Sequence, residues 1–390
     1  MADFQPEDFV SRQIKQIPRS GIREFFELVQ SKQGVISLGV GEPDFSTPWH
    51  IRESAIYALE RGQTSYTSNL GLLKLRKAIS KHLDRELGLQ YDPERQILIT
   101  VGVSEAMDIA FRALINPGDE VIFHEPCYVS YAPGISMAYG VGVPVQCSAE
   151  DNFAVRAGNI EKAITPRSKV LVLNFPTNPT GGTMERAELE KIAALANRHN
   201  LVVITDEIYS ELTFEGEHTS IASLPGMAGR TVFLHGFSKA YAMTGFRIGY
   251  ACGPAALVDA MMKIHQYSML CASIISQEAA IEALENGEAD MLAMREQYKL
   301  RRNLIVNAFN KMGLPCHLPR GSFYAFPSIK PTALTSQQFA TRLVEEESVA
   351  CVPGDAFGAP GEGFLRCCFA ASMDNIKTAT ERIGSFLNRL

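Results

Sequence analysis

Lys239 sits in Gly236-Phe-Ser238-Lys239-Ala240, just beyond the apolar run Thr231–Leu234, and Arg247 follows eight residues later. Three comparable segments also stand behind apolar runs. Gly102-Val103-Ser104-Glu105 follows Ile97–Val101, Asn174-Phe-Pro-Thr-Asn178-Pro-Thr-Gly181 follows Val170–Leu173, and Thr205-Asp206-Glu207-Ile-Tyr209 follows Leu201–Ile204. Runs of four continuous apolar residues read as strands covered on both faces. Open parallel sheets bind ligands beyond the carboxyl ends of their strands. An amine, a carboxylate, an amide, a guanidinium and a glycine-hydroxyl helix start would therefore meet at one crevice. That set suits a phosphorylated aldehyde cofactor, with the lysine for a Schiff base, the carboxylate for a pyridinium nitrogen and a helix N-terminus for the phosphate. Taken singly, each has a plainer use. Ser104 serves as a helix N-cap, Asn178 as an Asx-turn residue, and Asp206 needs only some partner for its buried charge.

Competing motifs are absent. Gly39-Val-Gly41 has Asp44 where a dinucleotide fingerprint needs its third glycine, and the chain has no Gly-Lys pair for a P-loop and no HExxH. Gly236-Phe-Ser238-Lys-Ala240 lacks the last glycine of a nucleophile elbow.

The elements that must position these residues follow from periodicity. Between about 96 and 252, short β-branched runs at 97–101, 121–123, 141–145, 170–173, 201–204, 231–234 and 248–251 alternate with helical spacing such as Leu189, Ile192, Ala193 and Ala196. This predicts α/β architecture, a mostly parallel sheet flanked by helices. Helical patterns also cover Trp49–Glu60, 72–87, Ser276–Asn286 and Ala289–Lys311, with a shorter one at Arg23–Gln30. After about 270 the pattern changes to long helices, then Ser322-Phe-Tyr-Ala-Phe326 and a last helix. We expect residues 1–45 to form an N-terminal arm and part of a small domain. Residues 46–285 would form the large α/β domain, and 286–390 a small α+β domain.

The chain has 390 residues, 46% hydrophobic and 21% charged, with 37 basic against 43 acidic side chains and a net charge of −6. A mildly acidic surface is a poor match for nucleic acid. The one dense basic group, Lys299, Arg301 and Arg302, reads as a solvated helix face. No apolar run approaches a bilayer span, and the first ten residues hold Asp3, Glu7 and Asp8 without a basic residue, unlike a secretory leader. The eight cysteines form no CxxC pair, so zinc is not expected; reduced, mostly buried thiols in a cytoplasmic protein are.

The chain resembles the class I/II pyridoxal-phosphate (PLP) aminotransferases of fold type I, from Ile17-Pro-Arg-Ser-Gly-Ile-Arg23 to its end. The motifs that carry the resemblance are Gly41-Glu-Pro-Asp-Phe45, Asn178-Pro-Thr-Gly181, Asp206-Glu-Ile-Tyr209, Ser238-Lys239 and Met243-Thr-Gly-Phe-Arg247-Ile-Gly249. His265-Gln-Tyr, Cys271-Ala-Ser, Ser276-Gln277 and Gly361-Glu-Gly with Arg366 resemble the bacterial aspartate and N-acetyl-LL-diaminopimelate aminotransferases.

The resemblance implies a role for each motif residue. Lys239 would bind the cofactor's aldehyde and then shuttle the substrate proton. Asp206 would hold the pyridine nitrogen, Tyr209 and Asn178 the phenolic oxygen, and Tyr128 would stack on the ring. Val103, Ser104 and Arg247 would take the phosphate. Many relatives have a serine three positions before the lysine; here that position is Gly236, with Ser238 as the substitute. Arg366 and Gly41, with Asn178, would receive the substrate α-carboxylate, and Tyr66 would reach the neighbouring subunit's phosphate in a homodimer. The implied activity is amino transfer from an L-amino acid to a 2-oxo acid, 2-oxoglutarate first, by a ping-pong cycle. Aspartate or a related amino acid is the expected donor. N-acetyl-LL-diaminopimelate or aromatic donors, or C–S lyase chemistry on the same fold, are the alternatives. No second arginine for a distal carboxylate is apparent. Fold-related regulators carry an N-terminal DNA-binding domain, and with about 30 residues before the fold none is expected here.

Overall fold

A computed structural model describes residues 4–19 and 34–390. The helical pattern expected at Arg23–Gln30 lies outside the described residues.

All seven expected strands form, and they make one sheet. They are β2 (Ile97–Thr100), β3 (Glu120–Glu125), β4 (Val141–Gln146), β5 (Ser168–Asn174), β6 (Val202–Asp206), β7 (Thr231–Gly236) and β8 (Gly249–Cys252), after the short N-terminal β1 (Ile36–Ser37). Their order is β2-β8-β7-β6-β5-β3-β4. Only β8 runs against its neighbours, β2 and β7; the remaining pairs are parallel. The expected runs stopped short because they tracked apolar residues. The ladder carries on into polar ones, so Asn174, Asp206 and Gly236 are the last residues of β5, β6 and β7.

Helices cover both faces. Gly102–Leu114 buries Ala106, Met107, Ala110, Phe111 and Leu114 against one side. The helix 73–87 closes with Gly88 in the left-handed conformation that glycine adopts without strain.

A second unit is built from both ends of the described chain. β9 (Tyr324–Ala325), β11 (Val352–Pro353) and β12 (Leu365–Cys368) form a three-stranded antiparallel sheet, and β10 (Val349–Ala350) pairs in parallel with β1. The helices Glu288–Lys311, Ser336–Glu347 and Met373–Leu387 pack around a shared core that includes Phe309, Phe339, Leu343, Ile376 and Phe386. Thr335 opens the second of these with a reciprocal capping box to Gln338.

One sequence expectation fails here. Arg301 and Arg302 are buried, Arg302 to 1% exposure, and do not form a solvated face. Arg302 donates to the Pro319 carbonyl and to Glu215, each at 2.9 Å. Arg301 donates to Asp44 at 2.6 Å and lies over the rings of Phe45 and Tyr298. Counting charges along a helix cannot reveal partners that come from distant loops. The thiol expectation matches the structure: all eight cysteines are free, and only Cys271 is not buried.

Candidate active site

One cavity of about 920 Å³ opens at the carboxyl ends of β5, β6 and β7 and is lined by every candidate residue except Tyr66. Tyr66 projects from the loop before helix 73–87 and is 82% exposed.

Lys239 follows β7, and its Nζ donates to the Gly41 carbonyl at 2.8 Å. Burial is the largest influence on this amine. With the Arg366 and Arg247 charges nearby, it lowers the pKa from 10.5 to about 8, against the opposing pull of Cys368 and Glu42. About a tenth of the amine is therefore neutral at pH 7, roughly three hundred times the share of an ordinary lysine, and the neutral form is the nucleophile.

Asp206 is buried at the end of β6. Burial raises its pKa. The Tyr131 hydroxyl, donating to Oδ2 at 2.7 Å, and the Ile208 N–H, donating to Oδ1 at 3.3 Å, pull it back down. Sequence reasoning left the partner of this charge open; the structure supplies Tyr131.

Asn174 pairs in register with Asp206 across β5 and β6. Its amide donates to the Asp206 carbonyl at 2.8 Å, and its side-chain oxygen accepts the Asn178 N–H at 3.2 Å. The side chain that braces this segment's backbone is therefore Asn174, four residues upstream, and not an Asx turn of Asn178. The Asn178 side chain accepts instead from Arg366 Nη1 at 3.0 Å.

Arg366 lies on β12 at 3% exposure. Its Nη2 donates to the Gly39 carbonyl at 2.6 Å, and its guanidinium is centred 4.6 Å from the Tyr324 ring and 4.8 Å from the Phe357 ring. Its Nε is buried with no hydrogen-bond partner among the described residues. A buried, stacked fork with an unused donor suits a carboxylate, since unmet donors of this kind are costly. Tyr209 and Tyr324 share a hydroxyl–hydroxyl hydrogen bond of 3.0 Å, and burial holds both phenols protonated, well above their ordinary range.

The turn read as a phosphate site is built largely from backbone. Ser104 falls within the first turn of helix Gly102–Leu114 and is not its N-cap; that position is Val101. First-turn N–H groups have no partner within the helix and carry the positive end of its dipole. Glu105 accepts the Val101 N–H and pairs with buried His265 at 2.6 Å, which fixes this turn. Gly102 has φ +74°, and a Cβ there would stand 2.8 Å from Arg247 Nη2. A Cβ on Gly249 would lie 2.8 Å from Gly102 C and Val103 N. One on Gly236 would lie 3.0 Å from Gly249 Cα. The missing serine at 236 thus has a steric reason, because that spot is filled by the neighbouring strand and by Val103. Ser238 is buried and lines the cavity.

Sequence reasoning also passed over Tyr324, Asn174 and Tyr131. Tyr324 was visible only as part of a strand-like segment. Asn174 and Tyr131 lie within a few residues of named candidates, but their side-chain directions depend on the fold.

These residues fit PLP. A partly neutral buried lysine, a hydrogen-bonded buried carboxylate, a glycine cradle that any Cβ would fill and a guanidinium with an unmet donor meet in one cavity. The model for aminotransferase class I and II matches residues 33–383. A putative aminotransferase of Bacillus subtilis, YugH, is 49% identical over 98% of this chain and 99% of its own. The probable N-acetyl-LL-diaminopimelate aminotransferase of that species is 43% identical over 98% and 96%. The Thermus thermophilus aspartate aminotransferase solved with maleate superposes with a TM-score of 0.92 at 38% identity, covering 96% of this chain and 99% of that one. Fold, cavity and relatives agree: the chain belongs to the class I and II aminotransferases, enzymes of fold type I that use pyridoxal 5'-phosphate.

Proposed function

We propose that the enzyme moves an amino group from an L-amino acid, aspartate or a related donor, to 2-oxoglutarate by a ping-pong cycle. In this reading it acts as a cytoplasmic homodimer. The observation that carries it is the shared cavity, with the Lys239 amine on one wall and the unmet Arg366 donor on another.

When bound, PLP supplies an aldehyde that carries the amino group between half-reactions and a ring that accepts the electrons of the deprotonated Cα. The chain's own residues do the rest. Arg366, steered by Asn178 and Gly39, grips the α-carboxylate as a planar fork, and the Gly41 backbone approaches the same group. This grip would present the substrate Cα to Lys239, whose neutral amine would take the Cα proton and hold it for return. Asp206 would hold the ring nitrogen, with its carboxylate held by Tyr131. The Tyr209 hydroxyl and Asn178 donate to the phenolic oxygen, and Tyr128 covers the ring face. Val103 and Ser104 with Arg247 hold the phosphate, with Ser238 as a further hydroxyl. Tyr66 completes the phosphate site of the neighbouring subunit, which accounts for its position on an exposed loop.

The test is the visible absorption band of the purified protein, titrated with a panel of L-amino acids headed by aspartate and N-acetyl-LL-diaminopimelate. One donor should bleach the band, and 2-oxoglutarate should restore it. Steady release of ammonia without a 2-oxo acid would mean lyase chemistry instead. No band after reconstitution with PLP would overturn the Lys239 assignment.

A further inference from the structure

Tyr131 is fully buried, lines the cavity, and has no role in the mechanism above. It begins the short helix Tyr131–Met137, and its N–H donates to the Tyr128 carbonyl at 3.2 Å. Its ring meets the Tyr128 ring edge-on, with centroids 5.8 Å apart and planes at 81°. Its hydroxyl donates to Asp206 Oδ2 at 2.7 Å. One side chain thus touches both the aromatic ring proposed to cover the cofactor and the carboxylate proposed to hold its nitrogen.

The other contacts of Asp206 do not duplicate this one. The Ile208 N–H reaches Oδ1 at 3.3 Å, near the limit of a useful hydrogen bond. Among the described residues, Oδ2 has no other donor. The charged groups that also act on Asp206 do so through space: His235, held by Glu211 at 2.8 Å, favours its ionised form, and Glu207 opposes it. An O–H donor to a carboxylate is directional and stronger than a neutral pair. Burial keeps the Tyr131 phenol protonated, so it remains a donor throughout the working pH range.

We propose that Tyr131 is a positioning residue that fixes the plane and the charge of the Asp206 carboxylate against the cofactor ring. The proposal rests on the reading of Asp206 given above.

A double-mutant cycle of Tyr131→Phe and Asp206→Asn in the reconstituted enzyme tests both and separates them. Tyr131→Phe should lower kcat about tenfold or more, in line with loss of a hydrogen bond to a charged group. The KM of both substrates should stay within about twofold, and the pH midpoint of the bound cofactor's visible band should move by about one unit. In the Asp206→Asn background the same change should cost nothing further, because the charge it serves is gone. An equal loss in both backgrounds, or an unmoved midpoint, would mean a packing role and overturn the proposal. Wild-type turnover by Asp206→Asn alone would remove the Asp206 reading, and this proposal with it. Site-specific 3-fluorotyrosine at 131 preserves the shape, strengthens the donor and answers the case in which Tyr131→Phe misfolds. It should move the midpoint opposite to the phenylalanine variant, and a midpoint that stays put would again overturn the role.

Discussion

The Lys239 amine is hydrogen-bonded to the main-chain carbonyl of Gly41, 198 residues away in sequence, at 2.8 Å. A carbonyl can only accept, so the contact orients the amine without neutralising it. Lys239→Ala should therefore abolish turnover while leaving the circular dichroism spectrum close to that of the parent. Near-normal activity in that variant would end the assignment.

The same amine sets a pH dependence. Its pKa is lowered from 10.5 to about 8, mainly by burial. In the cofactor-free protein the aldehyde is captured only by the neutral form, so the uptake rate of PLP should rise with pH and reach half its plateau near 8. The sign for stability follows from linkage. Between about 8 and 10.5 the unfolded chain holds the proton more tightly than the folded one, so stability rises with pH through that window. Below it, the full cost of burying the ammonium persists. Denaturant midpoints of cofactor-free Lys239→Met should lack this rise; a slope equal to the parent's would contradict the argument.

Arg366→Lys keeps the charge and loses the fork. With Asn178 and Gly39 left without their donors, substrate KM should increase about ten- to a hundredfold, a loss of roughly 1.4–2.7 kcal/mol. Steady-state kinetics would show it, and an unchanged KM would place the α-carboxylate elsewhere.

Gly102→Ala should weaken cofactor retention because the residue sits at φ +74° and its new methyl would press on Arg247. Dialysis against buffer with fluorescence readout should show faster loss of PLP than in the parent. Equal retention would detach this turn from the phosphate.

Tyr66→Phe bears on assembly. If a partner subunit's phosphate receives this hydroxyl, the variant should lose PLP several-fold more readily while sedimenting as the same dimer. Unchanged affinity would count against a shared site.

Much of this was legible in the sequence because strands in a covered parallel sheet must be apolar throughout. Val170–Leu173 and Leu201–Ile204 therefore announced both the sheet and the place to look for chemistry. The resemblance to a family then named Asp206, Lys239 and Arg366 by motif. What stayed hidden depended on side chains meeting across the fold. The acceptor of the Lys239 amine lies in a turn far upstream. Arg301 and Arg302 look solvated until Asp44, Glu215 and Pro319 close over them. Tyr131 is an ordinary aromatic until its hydroxyl is seen to end on a carboxylate. The glycine at 236 read as a deficiency, and only the packing of Gly249 and Val103 shows that a larger residue would crowd the ladder.

The guanidinium of Arg366 donates to the carbonyl of Gly39, 327 residues earlier. During synthesis, that partner emerges from the ribosome long before the arginine does, and the crevice between them has no second wall until β12 is extruded. A chain halted between residues 240 and 365 would carry the Lys239 amine and the Asp206 carboxylate but not the guanidinium proposed to grip an amino acid.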